Sequence, residues 1–386
     1  MQARRRNIER IRDVVPGSDE QALHHFIANS PWDTRAVLDQ VARDANALLG
    51  GTDESFLLID ESGFPKKGRD SVGVARQWCG RLGKVDNCQT AVFASLGKGS
   101  IATLIDTALY LPKEWTGDEE RMNEAGVPQA ARTYRTKQQL ALDLIERALN
   151  NGVQFSWIGF DGFYGDNGQL LRMIDGTGLT FMGDVHCDQY VWTSDPTTDK
   201  SAKRMRADAW VAAQEADAWR RVRVRQGTKG PIEAEVLHGL VWLYQRGDQE
   251  PYRWHLIVLR QPNRLKYSLS NAPLDTALER LAYMQGQRYF IERALEDAKQ
   301  QGGLGEYQVR GWRGWHHHVA LVMMAMLFLS RERLEIGEPT LTAADVQMML
   351  VHYLPRRDRN SDDLIDLLRR RFARRGEIFP YDLPEK

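Results

Sequence analysis

Two stretches decide how the chain is read: Phe56-Leu-Leu-Ile-Asp60-Glu-Ser-Gly-Phe-Pro-Lys-Lys-Gly68 and Phe155-Ser-Trp-Ile-Gly-Phe-Asp161-Gly-Phe-Tyr-Gly165. Each is a short apolar run that ends in an aspartate and continues into a glycine-containing loop. Runs of this length bounded by turn residues read as buried strands. Working outward, residues 72–78, 90–96 and 101–111 read as further strands, and residues 137–149 as an amphipathic helix. A helix over 168–174 and a strand over 179–185 follow the second stretch. Strands in succession, then helix, strand, helix, strand, describe an α/β layer with an antiparallel hairpin section and at least one crossover.

The flanking regions differ. Residues 1–52 read as short helices, one opening at Ser18 with Gln21 three residues on, another after Ser30-Pro-Trp-Asp33. Residues 53–185 carry the α/β pattern. Residues 186–275 break it with β-type runs at 234–244, 252–260 and 267–270, and read as a β-rich insertion. The α/β layer resumes over 276–335, and residues 336–386 form a basic helical end holding Arg356, Arg357, Arg359, Arg369, Arg370, Arg371, Arg374 and Arg375.

Composition sets bounds. The 386 residues carry 52 Lys plus Arg against 52 Asp plus Glu, so basic surface must be local. Hydrophobic residues at 42% and charged residues at 27% match a globular chain and exclude a mainly disordered one. Three cysteines without a CxxC pair argue against a disulfide framework or a structural zinc site. The first residues lack an apolar signal segment, and the longest apolar run, 319–329, is too short to span a hydrocarbon core of about 30 Å. A cytoplasmic protein without membrane contact is expected.

Asp60 and Asp161 are the first candidates for chemistry. A single aspartate at a strand end commonly caps the next turn. Two in matching contexts meet if their strands are neighbours, and their mutual repulsion is then relieved by a divalent cation such as Mg²⁺. Arg288, Glu292, Glu296 and Lys299 share one helix face, opposite the apolar stripe of Ile291, Ala294, Leu295 and Ala298. Such a face is ordinarily solvated and salt-bridged. It also offers a third carboxylate, from Glu292 or its competitor Glu296, with Arg288 and Lys299 beside it for phosphates. Lys66 and Lys67 follow Asp60 closely. Further basic groups are Lys203-Arg204-Met-Arg206 and Arg220-Arg221-Val-Arg223-Val-Arg225, with Trp192, Trp210 and Trp219 nearby. His316, His317 and His318 fan out by about 100° each on a helix and do not converge on one ion.

These motifs, taken in order, resemble the DDE transposases of bacterial insertion sequences: the IS-four-like superfamily and, within it, the IS-seven-hundred-one type. The resemblance extends to Asn7-Ile-Glu-Arg, His24-His-Phe-Ile27 and Tyr307-Gln-Val-Arg310-Gly-Trp-Arg313-Gly-Trp-His-His-His318. It implies an RNase H-like core, a mixed five-stranded sheet flanked by helices, interrupted by the β-rich insertion, with helical regions at both ends. It implies Asp60, Asp161 and Glu292 as catalytic ligands of two Mg²⁺ ions, with Mn²⁺ as substitute. It implies that double-stranded DNA, as terminal inverted repeats and target, is cut and joined, and that a homodimer assembles on two DNA ends. Arg288, Lys299, Lys66, Lys67, Arg220, Arg221, Arg223, Arg225, Arg310 and Arg313 become candidate DNA contacts. The family signature has a tyrosine three residues before Arg288, where this chain has Gln285. A nuclease of the same fold without strand transfer, and an inactive transposase acting as a DNA-binding protein, remain alternatives.

Overall fold

The computed structural model describes residues 7–227, 230–245, 247–306, 308–338, 341–355, 361–373 and 375–380. Twelve strands form one mixed sheet. They are β1 (Ser55–Pro65), β2 (Ala75–Cys79), β3 (Lys84–Lys98), β4 (Ile101–Leu109), β5 (Trp157–Phe160), β6 (Phe181–Val185), β7 (Tyr190–Trp192), β8 (Arg204–Arg206), β9 (Arg220–Gly227), β10 (Gly230–Leu243), β11 (Tyr252–Gln261) and β12 (Arg264–Ser270). The order is β2-β3-β1-β5-β6-β12-β11-β10-β7-β8, with β4 also on β3 and β9 also on β10. β3 is antiparallel to both β1 and β4, whereas β5 runs parallel to β1 and β6 parallel to β5.

Alternation along the central strands sorts side chains between two cores. Phe56, Leu58 and Trp157 face one core, completed by helices Leu278–Gln287, Tyr289–Gln300 and Trp312–Ile336. Leu57, Ile59, Ile158 and Phe160 face the other, completed by helices Lys137–Asn150 and Gly168–Gly176. The first of these is closed by a capping box between Thr136 and Gln139, and buries Leu140, Ala141, Leu144, Ile145 and Ala148 on one stripe. Helix Thr34–Leu49, capped by Asp33, contributes to both cores. The long helix Trp312–Ile336 ends at Gly337, whose φ of 72° suits glycine.

Four details depart from the sequence reading. β1 does not stop at Asp60. It runs on to Pro65 because the longer β3 supplies partners from Lys98 to Cys88. The cap of helix Glu20–Ala28 is Asp19, since Ser18 Oγ donates instead to the carbonyl of Val15. The helical stretch before Gln300 breaks into two helices at Arg288. The β-rich stretch extends the same sheet, because β12 pairs antiparallel with β6. Among the described residues no helix is long and apolar enough to cross a membrane.

Candidate active site

Register brings the acids together. Ile59 pairs with Phe160, and Phe160 with Gly183, across the parallel strands β1, β5 and β6. The next residue on each chain is Asp60, Asp161 or Asp184. Adjacent strands lie about 4.8 Å apart, so the three backbones form a row across the sheet, just past the end of β5, near the end of β6 and midway along β1. Asp60, two residues beyond Leu58, points to the face of helix Tyr289–Gln300. Glu61 takes the opposite face, where Lys137 holds its carboxylate at 2.7 Å.

The helix break supplies the counter-charge. Arg288 reaches Asp184 at 2.7 Å, Glu292 at 2.5 Å and Asp60 at 3.8 Å. Burial works against the guanidinium charge, but Asp184, Glu292 and Asp60 outweigh it and hold the pKa above its ordinary value. Asp60, with its side chain 13% exposed, has its pKa pushed up to about 8, first by burial and then by the charge of Asp161. Asp161 is raised too, chiefly by burial, with Arg288 opposing. It accepts a backbone hydrogen bond from Phe163 as the cap of the short turn that follows. Gly165, at the end of that turn, packs on β6 so closely that a Cβ would lie 1.8 Å from the Asp184 carbonyl oxygen.

The two candidates for the third acid have different partners. Glu292 meets the arginine that touches Asp60, while Glu296 is engaged by Arg293 at 2.8 Å and Gln300 at 2.9 Å. Carboxylate oxygens suit a hard divalent cation in type, and the raised value of Asp60 reflects burial first and then the charge of Asp161, which Arg288 opposes. Among the described residues, however, no three His, Cys, Asp or Glu side chains stand close enough to hold an ion as they are. The guanidinium of Arg288 is the cation these carboxylates share.

The basic candidates divide. Lys299 interacts with Asp60, and its pKa is lowered first by burial and then by Arg81. Lys66, at the end of β1, is lowered to about 8 by burial, and Lys67 beside it is exposed. Arg225 stacks on Tyr289 at 3.9 Å and interacts with Glu292. Arg220, Arg221 and Arg223 are exposed along β9, with Arg221 on Glu233 and Arg223 on Gln226. Arg310 pairs with Asp70, and Arg313 donates to the carbonyl of Asn29, away from the acids' own partners. Trp210 is buried against Gly239 and is a core residue. The three histidines bond different carbonyl groups: His316 that of Trp312, His317 those of Ile27 and Trp32, and His318 that of Gly303. Arg356, Arg357, Arg359 and Arg374 lie outside the described residues.

Two residues escaped the sequence reading. Asp184 follows a third apolar run, Phe181-Met-Gly, near the end of β6, a signal similar to the one that singled out Asp60 and Asp161. Tyr164 is fully buried with no hydrogen-bond partner for its hydroxyl. Its pKa is raised by burial and then by the charges of Glu61, Asp60 and Asp161.

The chain is similar to known proteins in keeping with this site. Over 189 residues it is 30% identical to a protein of Microchaete diplosiphon described as a probable transposase for insertion sequence element IS701, covering 49% of this chain. The match spans 46% of that relative, about half its length. The solved NurA nuclease from Sulfolobus solfataricus aligns over 80% of this chain and 94% of its own at 10% identity, with a TM-score of 0.27 that is too low to bear on the fold. The family described as DDE superfamily endonuclease matches residues 1–231, a span that holds Asp60 and Asp161 and ends before Glu292. The chain therefore belongs to the DDE superfamily endonuclease family.

Proposed function

We propose that this chain is the transposase of an insertion sequence, which binds the element's terminal inverted repeats, cuts DNA and joins the freed end to a target. The observation that carries this reading is the register setting Asp60 beside Asp161 beneath the helix of Arg288 and Glu292. The order β4-β3-β1-β5-β6, with three antiparallel strands followed by two parallel to β1, supports an RNase H-like core.

In this reading Asp60, Asp161 and Glu292 would hold two Mg²⁺ ions, or Mn²⁺ in their place, which when bound would supply an activated water and charge stabilisation for in-line phosphoryl displacement. The chain's own residues do the remaining work. Glu292 exchanges its bond to Arg288 for the metal site, which frees that arginine for a DNA phosphate. Lys66, Lys67, Lys299 and Arg225 flank the acids and neutralise neighbouring phosphates. The arginines of β9, with Arg310 and Arg313, extend the contact along the duplex. Two ends held together require two active sites, so the working form on DNA is a homodimer in the cytoplasm.

A strand-cleavage and joining assay tests the reading, with the element's terminal repeat as substrate and Asp161→Ala as control. Metal-dependent nicking at the repeat boundary plus joined product supports a transposase. Nicking without joining supports a nuclease, and binding without either supports an inactive DNA-binding form.

A further inference from the structure

The acids at the three strand ends are not equivalent. Asp60 and Asp161 accept from backbone N–H groups of their own segments, those of Glu61 and Phe163. Asp184 is held by side chains instead. Ser268 Oγ donates to its Oδ1 at 2.7 Å, while its Oδ2 faces Arg288 Nε at 2.7 Å and Lys266 Nζ at 3.2 Å. One oxygen therefore accepts a hydrogen bond from the fold itself, and the other lies in ion-pair contact with two cations, of which Arg288 Nε makes no hydrogen bond.

Those donors are fixed in turn. Ser268 lies directly across the β12–β6 ladder from Asp184. Gln285 is 1% exposed and donates through Nε2 to Ser268 Oγ at 2.8 Å and to the Lys266 carbonyl at 3.3 Å. A continuous chain of contacts thus runs from Gln285 through Ser268 and Asp184 to Arg288. It begins at the position where the resembling family has its signature tyrosine, and here that position faces the sheet.

We infer that Asp184 is a positioning residue, which anchors Arg288 over the paired aspartates and is itself aligned by Ser268 and Gln285. This rests on the reading of Asp60 and Asp161 as the metal-dependent cleavage site. Arg288 has two sets of partners. Its contacts to Glu292 and Asp60 must loosen if those carboxylates take a metal, and its ion pair with Asp184, close at 2.7 Å though not a hydrogen bond, keeps the guanidinium in place while its outer nitrogens turn to a phosphate. A guanidinium anchored by a close ion pair stays over the paired aspartates, which is the preorganisation a developing phosphoryl charge needs. The inference also gives the β-rich insertion a direct part in the site, because Lys266 and Ser268 belong to its last strand.

The test uses the full chain and five variants: Asp184→Asn, Ser268→Ala, Arg288→Ala, the double variant Asp184→Asn/Arg288→Ala, and Asp161→Asn as reference. Mn²⁺ binding without DNA is read by electron paramagnetic resonance, and nicking of supercoiled plasmid gives kcat and KM. Outer-shell partners of a metal site commonly contribute about 10–100-fold. Asp184→Asn is expected to keep Mn²⁺ affinity within about threefold while kcat falls by about that 10–100-fold, with KM little changed. The double variant is expected to be no slower than Arg288→Ala alone. Ser268→Ala, which removes a single hydroxyl, repeats the pattern at smaller size and serves if Asp184→Asn does not fold.

Loss of Mn²⁺ by Asp184→Asn as complete as in Asp161→Asn would make Asp184 a ligand and overturn the inference alone. Multiplied losses in the double variant, or normal kcat in both Asp184→Asn and Ser268→Ala, would overturn it as well. A wild-type chain that binds no Mn²⁺ removes the cleavage-site reading and this inference together.

Discussion

Asp60 and Asp161 extend side by side from neighbouring parallel strands, each one residue beyond the paired Ile59 and Phe160. Two buried carboxylates in that relation repel each other, and the consequence is a site that waits for positive charge. Arg288 supplies part of it from the junction of two helices.

Burial of Asp60, together with that repulsion, has a pH signature. The Asp60 carboxyl rises from 3.8 to about 8 on folding, so the folded state binds its proton more tightly than the unfolded chain. Below about pH 4 both states are protonated and nothing is lost. Between about pH 4 and pH 8 the folded state pays a growing penalty, complete above pH 8. Asp60→Asn removes the titrating group. Metal-free thermal unfolding should find the variant several degrees more stable than wild type at pH 8, with the gap closing as pH falls towards 4. A gap that is constant with pH would show that Asp60 does not carry the strain.

The turn after Asp161 depends on its second glycine. Any Cβ at position 165 would run into the Asp184 carbonyl at 1.8 Å, and a backbone atom has little room to yield. Gly165→Ala should cost about 1–3 kcal/mol in denaturant unfolding, the usual range for overpacking. It should also disturb cleavage beyond that loss, because the turn it displaces carries Asp161. Stability equal to wild type would mean that the turn and β6 are not in contact.

The arginines of β9 should differ from one another. Arg225 stacks on Tyr289 beside Glu292, while Arg221 is already paired with Glu233. Fluorescence anisotropy of a labelled duplex over a salt series should show Arg225→Ala weakening binding and reducing the salt slope by about one, the value for one lost phosphate contact. Arg221→Ala should change the slope less. Equal effects would place the two arginines in the same relation to DNA.

How much of this was legible beforehand follows from which interactions are local. The apolar runs ending in Asp60 and Asp161 gave both strands and both acids, because burial on two faces imposes a continuous hydrophobic run. The helix face of Arg288, Glu292 and Lys299 was equally legible, since helical spacing is local. The choice between Glu292 and Glu296 rests on resemblance, to which the structure adds their separate partners, Arg288 and Arg293. Asp184 was missed although it ends a similar run, because its importance comes from contacts with Ser268, 84 positions away, and Arg288. The joining of β12 to β6 was invisible for the same reason. Strand pairing across such separations is set by the whole sheet and leaves no mark at either strand.

The most direct test of the central claim is metal-dependent nicking of plasmid DNA by wild type, Asp161→Asn, Glu292→Gln and Glu296→Gln. Nicking in Mn²⁺ by wild type and Glu296→Gln, with loss of at least about 100-fold in Asp161→Asn and Glu292→Gln, is the predicted result, of the size expected when a metal ligand of the reacting phosphate is removed. Normal nicking by Glu292→Gln together with loss in Glu296→Gln would contradict the assignment of the third acid, and normal nicking by Asp161→Asn would contradict the site itself.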